Sequence, residues 1–344
     1  MEREKLLFIY PKLFTFVQTD IELISSDYHV ITIDQDWGNK LFLPFNLLYQ
    51  FFTLLFVIIR VDVILISFGG YWSFLPALLG RIFGKKVSII VHGTDCVDFP
   101  EIKYGSLGNT LMKWFIHKTY QLVNIILPVS ESLVFTENNY YTTETLKFGY
   151  THHLKNITTP YKVVPNGLII ENWLAEDVKK NSKTFITVMT ESQLKRKGAD
   201  LIFKVAEELP DCTFYFAGVD IVNQENISRN VIFLGRLTPS ELKSWYSKTQ
   251  FYLQLSNFEG FGVAICEAML CNCIPIVSNV NFLPKIAGNS DFVLKKRNYK
   301  LLIQLIKSIL KEDLGNLGNI AKQHIINNFS AKRRKKMLIE VLKK

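Results

Sequence analysis

Short apolar runs alternate with helix-length segments along the whole chain, and this alternation constrains the fold more than any other feature. Runs such as residues 87–91 are almost continuously apolar, which is typical of strands in a parallel sheet covered by helices on both faces. The strands predicted in the first half are 5–10, 28–34, 62–67, 86–91, 123–128 and 161–164. Those predicted in the second half are 184–189, 212–217, 231–234, 250–255, 274–278 and 291–294. The predicted helices include 45–59, 71–83, 107–121, 198–208, 239–248, 262–271 and 298–311.

Two successive βα arrays of similar size predict an α/β protein with two doubly wound, Rossmann-like domains. A polar stretch at 176–183 follows Pro165-Asn166-Gly167 and reads as a linker. We therefore expect a first domain at 1–167 and a second at 168–317, facing each other across a cleft. Residues 318–344 are expected to form helices that pack back across the domain junction. Ligands of such sheets bind beyond the carboxyl ends of the strands.

Composition narrows the class of protein further. Of 344 residues, 48% are hydrophobic and 21% charged, which excludes a disordered chain. The net charge of +9 lies entirely in the second half, because residues 1–165 hold 14 Lys/Arg and 14 Asp/Glu. A basic half indicates either an anionic partner or a solvated helix face, and both interpretations stay open. Nucleic acid is not expected as the partner, because the basic residues lack interleaved aromatics.

The cysteines and acids give no sign of a metal site. Five cysteines without a CxxC pair predict buried thiols in a reducing compartment, not a disulfide framework. Asp34-Gln35-Asp36 has the spacing of a DxD metal motif, but it lies at the end of the second strand and is interpreted as a turn. Neither a GxGxxG dinucleotide fingerprint nor a P-loop sequence is present. We expect no metal and no cofactor.

One segment raises the question of a membrane. Residues 41–59 carry no charged side chain and reach the length of a bilayer span. Polar residues and Pro44 interrupt the segment, and a strand-like run follows at once. We therefore expect a non-spanning helix, either buried between the sheet and the surface or lying at a bilayer interface. No signal peptide is recognised, so the expected location is the cytoplasm, with peripheral attachment to the inner face of the cell membrane.

The most informative local sequence runs from Ser256 to Met269. A buried strand ends in a polar turn, two glycines follow, and a helix begins. The backbone N–H groups of Phe261, Gly262 and Val263 lie at that helix N-terminus, where the helix dipole favours an anion such as phosphate. Glu259 and Glu267 flank the same position and would accept hydrogen bonds from the hydroxyls of a sugar and a ribose. The alternative is that one is a cap-region acid and the other a solvated helix position.

These residues resemble the family 4 glycosyltransferases, which have the two-domain GT-B fold. The family's hallmark is a pair of glutamates separated by seven residues in the context Ser-x-x-Glu-Gly-Phe-Gly, and the chain reproduces it from Ser256 to Glu267. Further matching pieces are His92-Gly93-Thr94-Asp95, Pro128-Val129-Ser130, Val164-Pro165-Asn166-Gly167, Lys197-Gly198, Phe216-Ala217-Gly218 and Phe233-Leu234-Gly235. The resemblance implies that Glu267 binds the ribose of a nucleotide-sugar, that Glu259 binds the donor sugar, and that the amides of 261–263 hold sugar and phosphate.

Two further residues are candidates for the chemistry. Lys197 ends a basic run after the first strand of the second domain, where a cation neutralises the charge of a departing nucleoside diphosphate. His92 ends a buried strand of the first domain, and the resemblance implies that it bonds a sugar hydroxyl. The family's diphosphate-binding arginine is missing, because Glu191 and Ser192 stand in its place, and Arg196 is the candidate substitute. The family's glycine pair after the first strand is also missing, and Gly69-Gly70 follows a later strand.

The implied function is glycosyl transfer from a nucleotide-sugar to a hydroxyl acceptor, with retention of configuration and without a metal. The acceptor is expected to be a glycan or lipid-linked glycan bound by the first domain, in surface polysaccharide synthesis. The positive second half, with the run at 332–336, suggests an acidic membrane surface as a further partner. Two alternatives stay open: a non-catalytic GT-B subunit that binds sugar or protein, and a sugar-nucleotide epimerase on the same scaffold.

Overall fold

The computed structural model of the chain describes residues 3–220 and 227–343. They divide into two compact units. Unit 1 contains residues 3–136, 147–167 and 331–343, and unit 2 contains 137–146, 168–220 and 227–330. The segment expected to form one terminal extension from 318 is thus divided: its first part belongs to unit 2, and the part from Ala331 belongs to unit 1.

Unit 1 is built around a five-stranded parallel sheet with the order β2-β1-β3-β4-β5. Its main elements are β1 (Lys5–Ile9), α1 (Thr15–Ile24), β2 (His29–Thr32), α2 (Leu43–Val57), β3 (Val63–Ser67), α3 (Tyr71–Ile82), β4 (Lys86–Val91), α4 (Thr110–Leu122) and β5 (Ile125–Pro128). The chain continues with the short strands β6 (Thr136–Asn138) and β7 (Leu146–Phe148), each of which has residues in both units, and then with α5 (Tyr150–His153) of unit 1. The central strands β3 and β4 are almost completely buried, which agrees with the apolar runs that predicted them.

The predicted strand at 161–164 is wrong. The segment runs beside β5, and the amides of Lys162 and Val164 donate to Ile126 and Pro128. Only Tyr161 forms a bridge, however, because prolines at 160 and 165 bracket the segment and remove the N–H donors that a longer ladder needs.

Unit 2 contains a six-stranded parallel sheet with the order β10-β9-β8-β11-β12-β13. Its elements are β8 (Asn181–Val188), α6 (Ala199–Glu208), β9 (Thr213–Ala217), β10 (Val231–Gly235), α7 (Pro239–Lys248), β11 (Thr249–Gln254), α8 (Val263–Leu270), β12 (Ile274–Ser278), α9 (Leu283–Ala287), β13 (Val293–Leu294), α10 (Tyr299–Ile309) and α11 (Leu314–Asn328). The first strand begins inside the predicted linker, at Asn181. All five cysteines are buried and unbridged.

The last helix, α12 (Ala331–Lys343), returns to unit 1 and packs against α1. Its Arg334 is buried and forms an ion pair with Asp20, with 2.6 Å between Nη2 and Oδ2. The same guanidinium donates to the carbonyls of Val164 and Pro165. Arg334 is one of the basic residues at 332–336 that suggested an acidic membrane surface, and its charge is instead used inside the unit.

Helix α2 lies on α3 through a narrow buried seam of Gln50, Leu54 and Ile58. The Gln50 side chain donates to the carbonyl of Trp72 at 2.9 Å. The helical stretch Leu43–Arg60 is long and apolar enough to span a membrane by length and composition, with a mean hydropathy of 1.6. Only 17% of it is buried, so most of its residues are at least partly exposed.

Candidate active site

The strand order of unit 2 reverses between β8 and β11. From β8 the chain moves outward to β9 and β10, then returns to the other side of β8 with β11. The loops after β8 and β11 are consequently neighbours at the carboxyl edge of the sheet, the position where doubly wound sheets bind ligands. The first loop carries Arg196 and Lys197, and the second carries Glu259.

Hydrogen bonds join these two loops. The Asn257 amide N–H donates to the Arg196 carbonyl at 2.7 Å, and its side-chain Nδ2 donates to the Lys195 carbonyl at 2.8 Å. In return, Arg196 Nη1 donates to the Phe258 carbonyl at 3.1 Å. Gly198 has a φ of 72°, and a Cβ on it would lie 2.4 Å from the Leu255 carbonyl oxygen. Glycine at 198 therefore lets the loops approach closely and brings the basic residues beside Glu259.

Glu259 is held by several donors. Its Oε2 accepts from Arg196 Nη1 at 3.2 Å, Gln254 Nε2 at 2.8 Å and Ser256 Oγ at 3.2 Å. Burial acts to raise the pKa of Glu259, but the charges of Arg196 and Lys197 and these hydrogen bonds outweigh it, so its pKa lies below the usual value. Glu259 is consequently an ionised carboxylate that is held in place. It partly neutralises the positive charge of Arg196.

Lys197 is partly buried, and its ammonium donates to the Val188 carbonyl at 2.7 Å. Burial lowers the pKa of Lys197 to about 8, although Glu259 and Glu267 oppose the shift. The lysine is thus largely protonated at neutral pH but poorly solvated, so an arriving anion interacts with it strongly. A diphosphate is an anion of this kind.

Glu267 lies in α8 and is partly buried. Within residues 3–220 and 227–343, no group donates a hydrogen bond to its carboxylate. Burial raises the pKa of Glu267 to about 7, with the charge of Lys197 opposing. A carboxylate that lacks donors in a buried setting is costly to the folded protein. The hydroxyl groups of a ligand would supply those donors, which is the role that the resemblance implies for this residue.

The amino end of α8 has no side-chain cap. Its N-cap residue, Gly262, has a φ of 104°, which side-chain-bearing residues rarely adopt. Phe261, just before it, is buried and packs against Phe282 and Phe329. Val263 begins the helix. The N–H groups of the first turn therefore lack a capping side chain and provide a place where an anion is stabilised by the helix dipole.

His92 belongs to unit 1 and follows β4 directly. Its Nε2 lies 2.9 Å from Ser67 Oγ, and its ring packs against Phe68 and Phe16, with centroids 4.3 and 4.7 Å away. Burial, with the charge of Arg334, lowers the pKa of His92 well below its usual value. His92 is therefore neutral at physiological pH and acts as a hydrogen-bonding group, not as a cation.

Asp95 organises the turn that follows His92. Its carboxylate accepts from the amides of Gly69, His92 and Gly93 at 2.8, 3.2 and 3.0 Å. Burial raises the pKa of Asp95, while these amide hydrogen bonds oppose the rise. Gly69 follows β3, which is the neighbour of β1 in the sheet, so Gly69-Gly70 lie beside the position where the glycine pair is missing after β1.

Seven of the eight predicted residues fall in unit 2, and the structure groups them at one edge of its sheet: Arg196, Lys197, Glu259, Phe261, Gly262, Val263 and Glu267. The sequence analysis did not identify the supporting residues Gln254, Asn257 and Ser67. Gln254 stands just before the recognised motif and Asn257 within it, so proximity in sequence was a usable signal. No local sequence pattern predicts the role of Ser67, because its pairing with His92 depends on the β3–β4 register.

Comparison with known proteins agrees with this arrangement. Residues 172–330, nearly all of unit 2, match the family described as "Glycosyl transferases group 1". Unit 2 is therefore similar to the group 1 glycosyltransferases. The family resemblance seen in the sequence is thereby confirmed.

Two curated relatives illustrate the similarity. An alpha-galactosylglucosyldiacylglycerol synthase from Streptococcus pneumoniae is 26% identical over 47% of this chain and 50% of its own length. The second is the N-acetylgalactosamine-N,N'-diacetylbacillosaminyl-diphospho-undecaprenol 4-alpha-N-acetylgalactosaminyltransferase from Campylobacter jejuni, 23% identical over 69% of this chain and 64% of its own length. The matched part therefore spans less than two thirds of either relative.

Solved structures confirm the predicted fold class. A sucrose-phosphate synthase from Thermosynechococcus elongatus superimposes with a TM-score of 0.76 at 12% identity, covering 98% of both chains. Anabaena HepE, solved with UDP and glucose, has a TM-score of 0.72 at 13% identity and covers 99% of this chain and 100% of its own. The chain has the α/β GT-B fold.

Proposed function

We propose that this protein is a glycosyltransferase that moves a sugar from a nucleoside-diphosphate sugar to a hydroxyl group of a lipid-linked glycan. The observation that carries the proposal is the cluster in unit 2, where Lys197, Glu259 and Glu267 surround the uncapped amino end of α8. A nucleoside-diphosphate sugar supplies an anion for Lys197 and the helix N–H groups. It also supplies hydroxyl groups that donate hydrogen bonds to the carboxylates. The group 1 family of unit 2 and the UDP bound by the structurally similar HepE support the same donor class.

Each residue has a distinct role in the proposed reaction. As the bond between the anomeric carbon and the diphosphate oxygen breaks, negative charge grows on the diphosphate. Lys197 and the N–H groups at the start of α8 stabilise that charge, because they are already oriented toward it. Glu259 orients the donor sugar, and Glu267 binds the ribose. His92, in unit 1, is assigned a hydrogen bond to a sugar hydroxyl. Arg196 holds Glu259 in place and adds positive charge beside the diphosphate.

We infer retention of configuration without a metal. The acceptor hydroxyl attacks the face that the diphosphate leaves, and the leaving phosphate oxygen takes the proton of that hydroxyl. Cationic side chains and backbone amides then perform the charge neutralisation that a metal ion performs in other transferases. Within the described residues, no three His, Cys, Asp or Glu side chains are grouped to hold a metal ion.

The acceptor sugar is assigned to a cavity of about 600 Å³ in unit 1, beyond the ends of β1 and β2. Trp37 and Trp72 line it with ring centroids 6.4 Å apart, and Asp34 and Asp36 contribute carboxylates. Indole faces pack against the C–H surfaces of sugars, and carboxylates accept from their hydroxyls. The names of the two relatives, which refer to a diacylglycerol glycolipid and to an undecaprenyl diphosphate glycan, support a lipid-linked acceptor.

The decisive experiment presents the purified chain with a panel of nucleotide-sugars and measures both melting temperature and release of nucleoside diphosphate. A donor that binds the folded state raises the melting temperature. We expect one donor to do so and to be hydrolysed slowly without acceptor, and the Glu267→Ala variant to lose both effects. The exposed Glu191→Ala change in the preceding loop is the matched control and should retain them.

Other outcomes contradict the proposal in recognisable ways. Binding without any hydrolysis or transfer indicates a non-catalytic partner subunit. Conversion of the donor into an epimeric nucleotide-sugar indicates an epimerase. If none of the panel raises the melting temperature, the donor site assigned here is wrong.

A further inference from the structure

The outward surface of α2 is apolar where the exposed side of a helix normally carries charged residues. We define the outer α2 surface as the side chains that are each 55–67% exposed on this helix and its two ends: Phe42, Phe45, Leu48, Tyr49, Phe52, Phe56 and Ile59. Single exposed apolar residues are common, but a contiguous set of this kind marks an interaction site.

The neighbouring helices extend this surface. Helix α2 packs on α3, and α3 packs on α4, so the three helices form one layer of unit 1. Ile82 and Phe83, at the end of α3, are 66% and 41% exposed. Leu111 and Trp114, in the first turns of α4, are 51% and 47% exposed. The apolar layer is therefore wider than one helix.

Basic residues lie at one border of the layer. Arg60 follows α2, and Lys85 precedes β4. Strands β3 and β4 pair with Val63 opposite Lys86, so Arg60 and Lys85 lie at the same amino edge of the sheet. Arg60 is exposed, as is Arg81 at the end of α3, and Lys85 is partly exposed. Residues 41–59, by contrast, contain no charge at all. An apolar surface bordered by cations is complementary to lipid with anionic headgroups.

The connections of α2 prevent it from crossing a bilayer. The helix is entered from β2 and leads into β3, and these two strands flank β1 in one sheet. The side chain of Asn46, near its start, donates to the Asp36 carbonyl at 2.7 Å, and Gln50 donates to the Trp72 carbonyl. Both ends therefore stay with the same sheet, and α2 is able only to lie along a membrane.

The composition of the surface favours lipid over a protein partner. Protein interfaces carry about one hydrogen bond per 100–200 Å². On the outer α2 surface, Tyr49 is the residue with a polar side-chain group, and the others are Phe, Leu and Ile. A bilayer requires no directional hydrogen bonds from the protein surface. Aromatic side chains are favourable at the boundary of its headgroups and acyl chains.

We propose that the outer α2 surface docks onto an anionic lipid bilayer, with α2 lying in the interface. The inference rests on the proposed function in that a lipid-linked acceptor would be met at such a surface. The amino end of α2 begins shortly after the cavity lined by Trp37 and Trp72, so docking brings that cavity to the membrane. An acceptor glycan held by a membrane lipid then reaches it without leaving the bilayer.

Flotation with vesicles tests the proposal without any nucleotide-sugar. Vesicles of phosphatidylcholine, alone and mixed with phosphatidylglycerol, are combined with the full chain and centrifuged through a density gradient. We expect the wild-type chain to float with the anionic vesicles. The Phe45→Ser/Phe52→Ser/Phe56→Ser variant should lose at least about tenfold in bound fraction, since three aromatic side chains no longer enter the lipid.

Two further variants make the result specific. The control Ile232→Ser/Leu301→Ser/Ile320→Ser removes exposed apolar side chains of unit 2 that are 40–50% exposed, and it should float like the wild type. The Arg60→Gln/Lys85→Gln variant should lose about tenfold on anionic vesicles and little on neutral ones, with the difference vanishing at high salt.

The proposal is overturned if the wild-type chain stays at the bottom of both gradients, or if the triple Phe variant floats unchanged. It is also overturned if light scattering shows a wild-type dimer that this variant converts to a monomer, because the surface then pairs with a second copy. Donor hydrolysis is measured separately without vesicles. Flotation with no hydrolysis would leave the docking surface standing and reject the proposed function.

Discussion

In unit 2, the loops at the reversal of strand order carry Arg196, Lys197 and Glu259. In unit 1, the corresponding edge carries the neutral His92, aromatic rings, and an aspartate bound by backbone amides. Both edges belong to parallel, doubly wound sheets. The same architecture therefore presents cations beside a fixed carboxylate in unit 2, and carboxylates with aromatic and neutral hydrogen-bonding groups in unit 1. This difference suits a donor with a diphosphate and an acceptor that is a polyhydroxylated, uncharged sugar.

The largest effect is expected from Lys197→Ala. This variant removes a cation that distinguishes the sheet edge of unit 2 from that of unit 1. We expect turnover to fall by about 10²–10³-fold, because the charge on the leaving diphosphate loses its main partner, with a smaller change in donor affinity. Steady-state kinetics with the hydrolysable donor measure both. The matched control is Lys195→Ala, an exposed lysine of the same loop, which should change turnover less than about twofold. Equal losses in both variants would place the effect in the loop and not in the ammonium group.

Glu267→Gln is expected to lower donor affinity by about tenfold while stabilising the folded protein. Burial raises the pKa of Glu267 to about 7, so ionisation above its ordinary value near 4.5 favours the unfolded chain. This destabilisation grows as pH rises toward about 7 and is complete above it. The glutamine variant should therefore melt several degrees higher than wild type at pH 8 but similarly at pH 4.5. A lower melting temperature at pH 8 would contradict the assignment of an uncompensated carboxylate.

His92→Ala tests the role of the neutral hydrogen-bonding group in unit 1. We expect turnover to fall by about tenfold, since one hydrogen bond to a sugar hydroxyl is lost. Binding of nucleoside diphosphate alone should stay within about twofold, because unit 2 holds that part of the donor. Calorimetry with the diphosphate and kinetics with the sugar donor separate the two. The exposed His29→Ala change serves as the control, and a loss of diphosphate binding in His92→Ala would contradict the division of roles.

The smallest expected effect is the pH dependence of nucleoside diphosphate binding. Protonation of Glu267 below about pH 7 removes an acceptor for ribose hydroxyls, and deprotonation of Lys197 above about pH 8 removes a cation. Affinity should therefore be highest between these values and fall severalfold on either side. Titration calorimetry from pH 5.5 to 9.5 checks this. Glu267→Gln should flatten the acid limb and Lys197→Arg the basic limb, and a flat wild-type profile would reject both assignments.

The sequence predicted the fold class and the unit 2 cluster because both depend on local patterns. Buried parallel strands are continuous apolar runs, and the cluster is built from two short loops whose glycines and charges stand together in the chain. The partners of His92 were not predictable in this way, since Ser67 lies 25 positions away and reaches it only through strand pairing. The burial of Arg334 was not predicted for the same reason. A basic run predicts exposure, and only the tertiary fold brings Asp20 to this arginine.

The position of α12 has a consequence for how the protein is made. This helix completes unit 1, yet the ribosome synthesises it after the whole of unit 2. Until translation reaches Arg334, Asp20 lacks this cationic partner in the nascent first unit, and α1 lacks the helix that packs on it. Chaperone binding to unfinished chains should therefore persist on unit 1 until α12 emerges, although its five strands were completed much earlier.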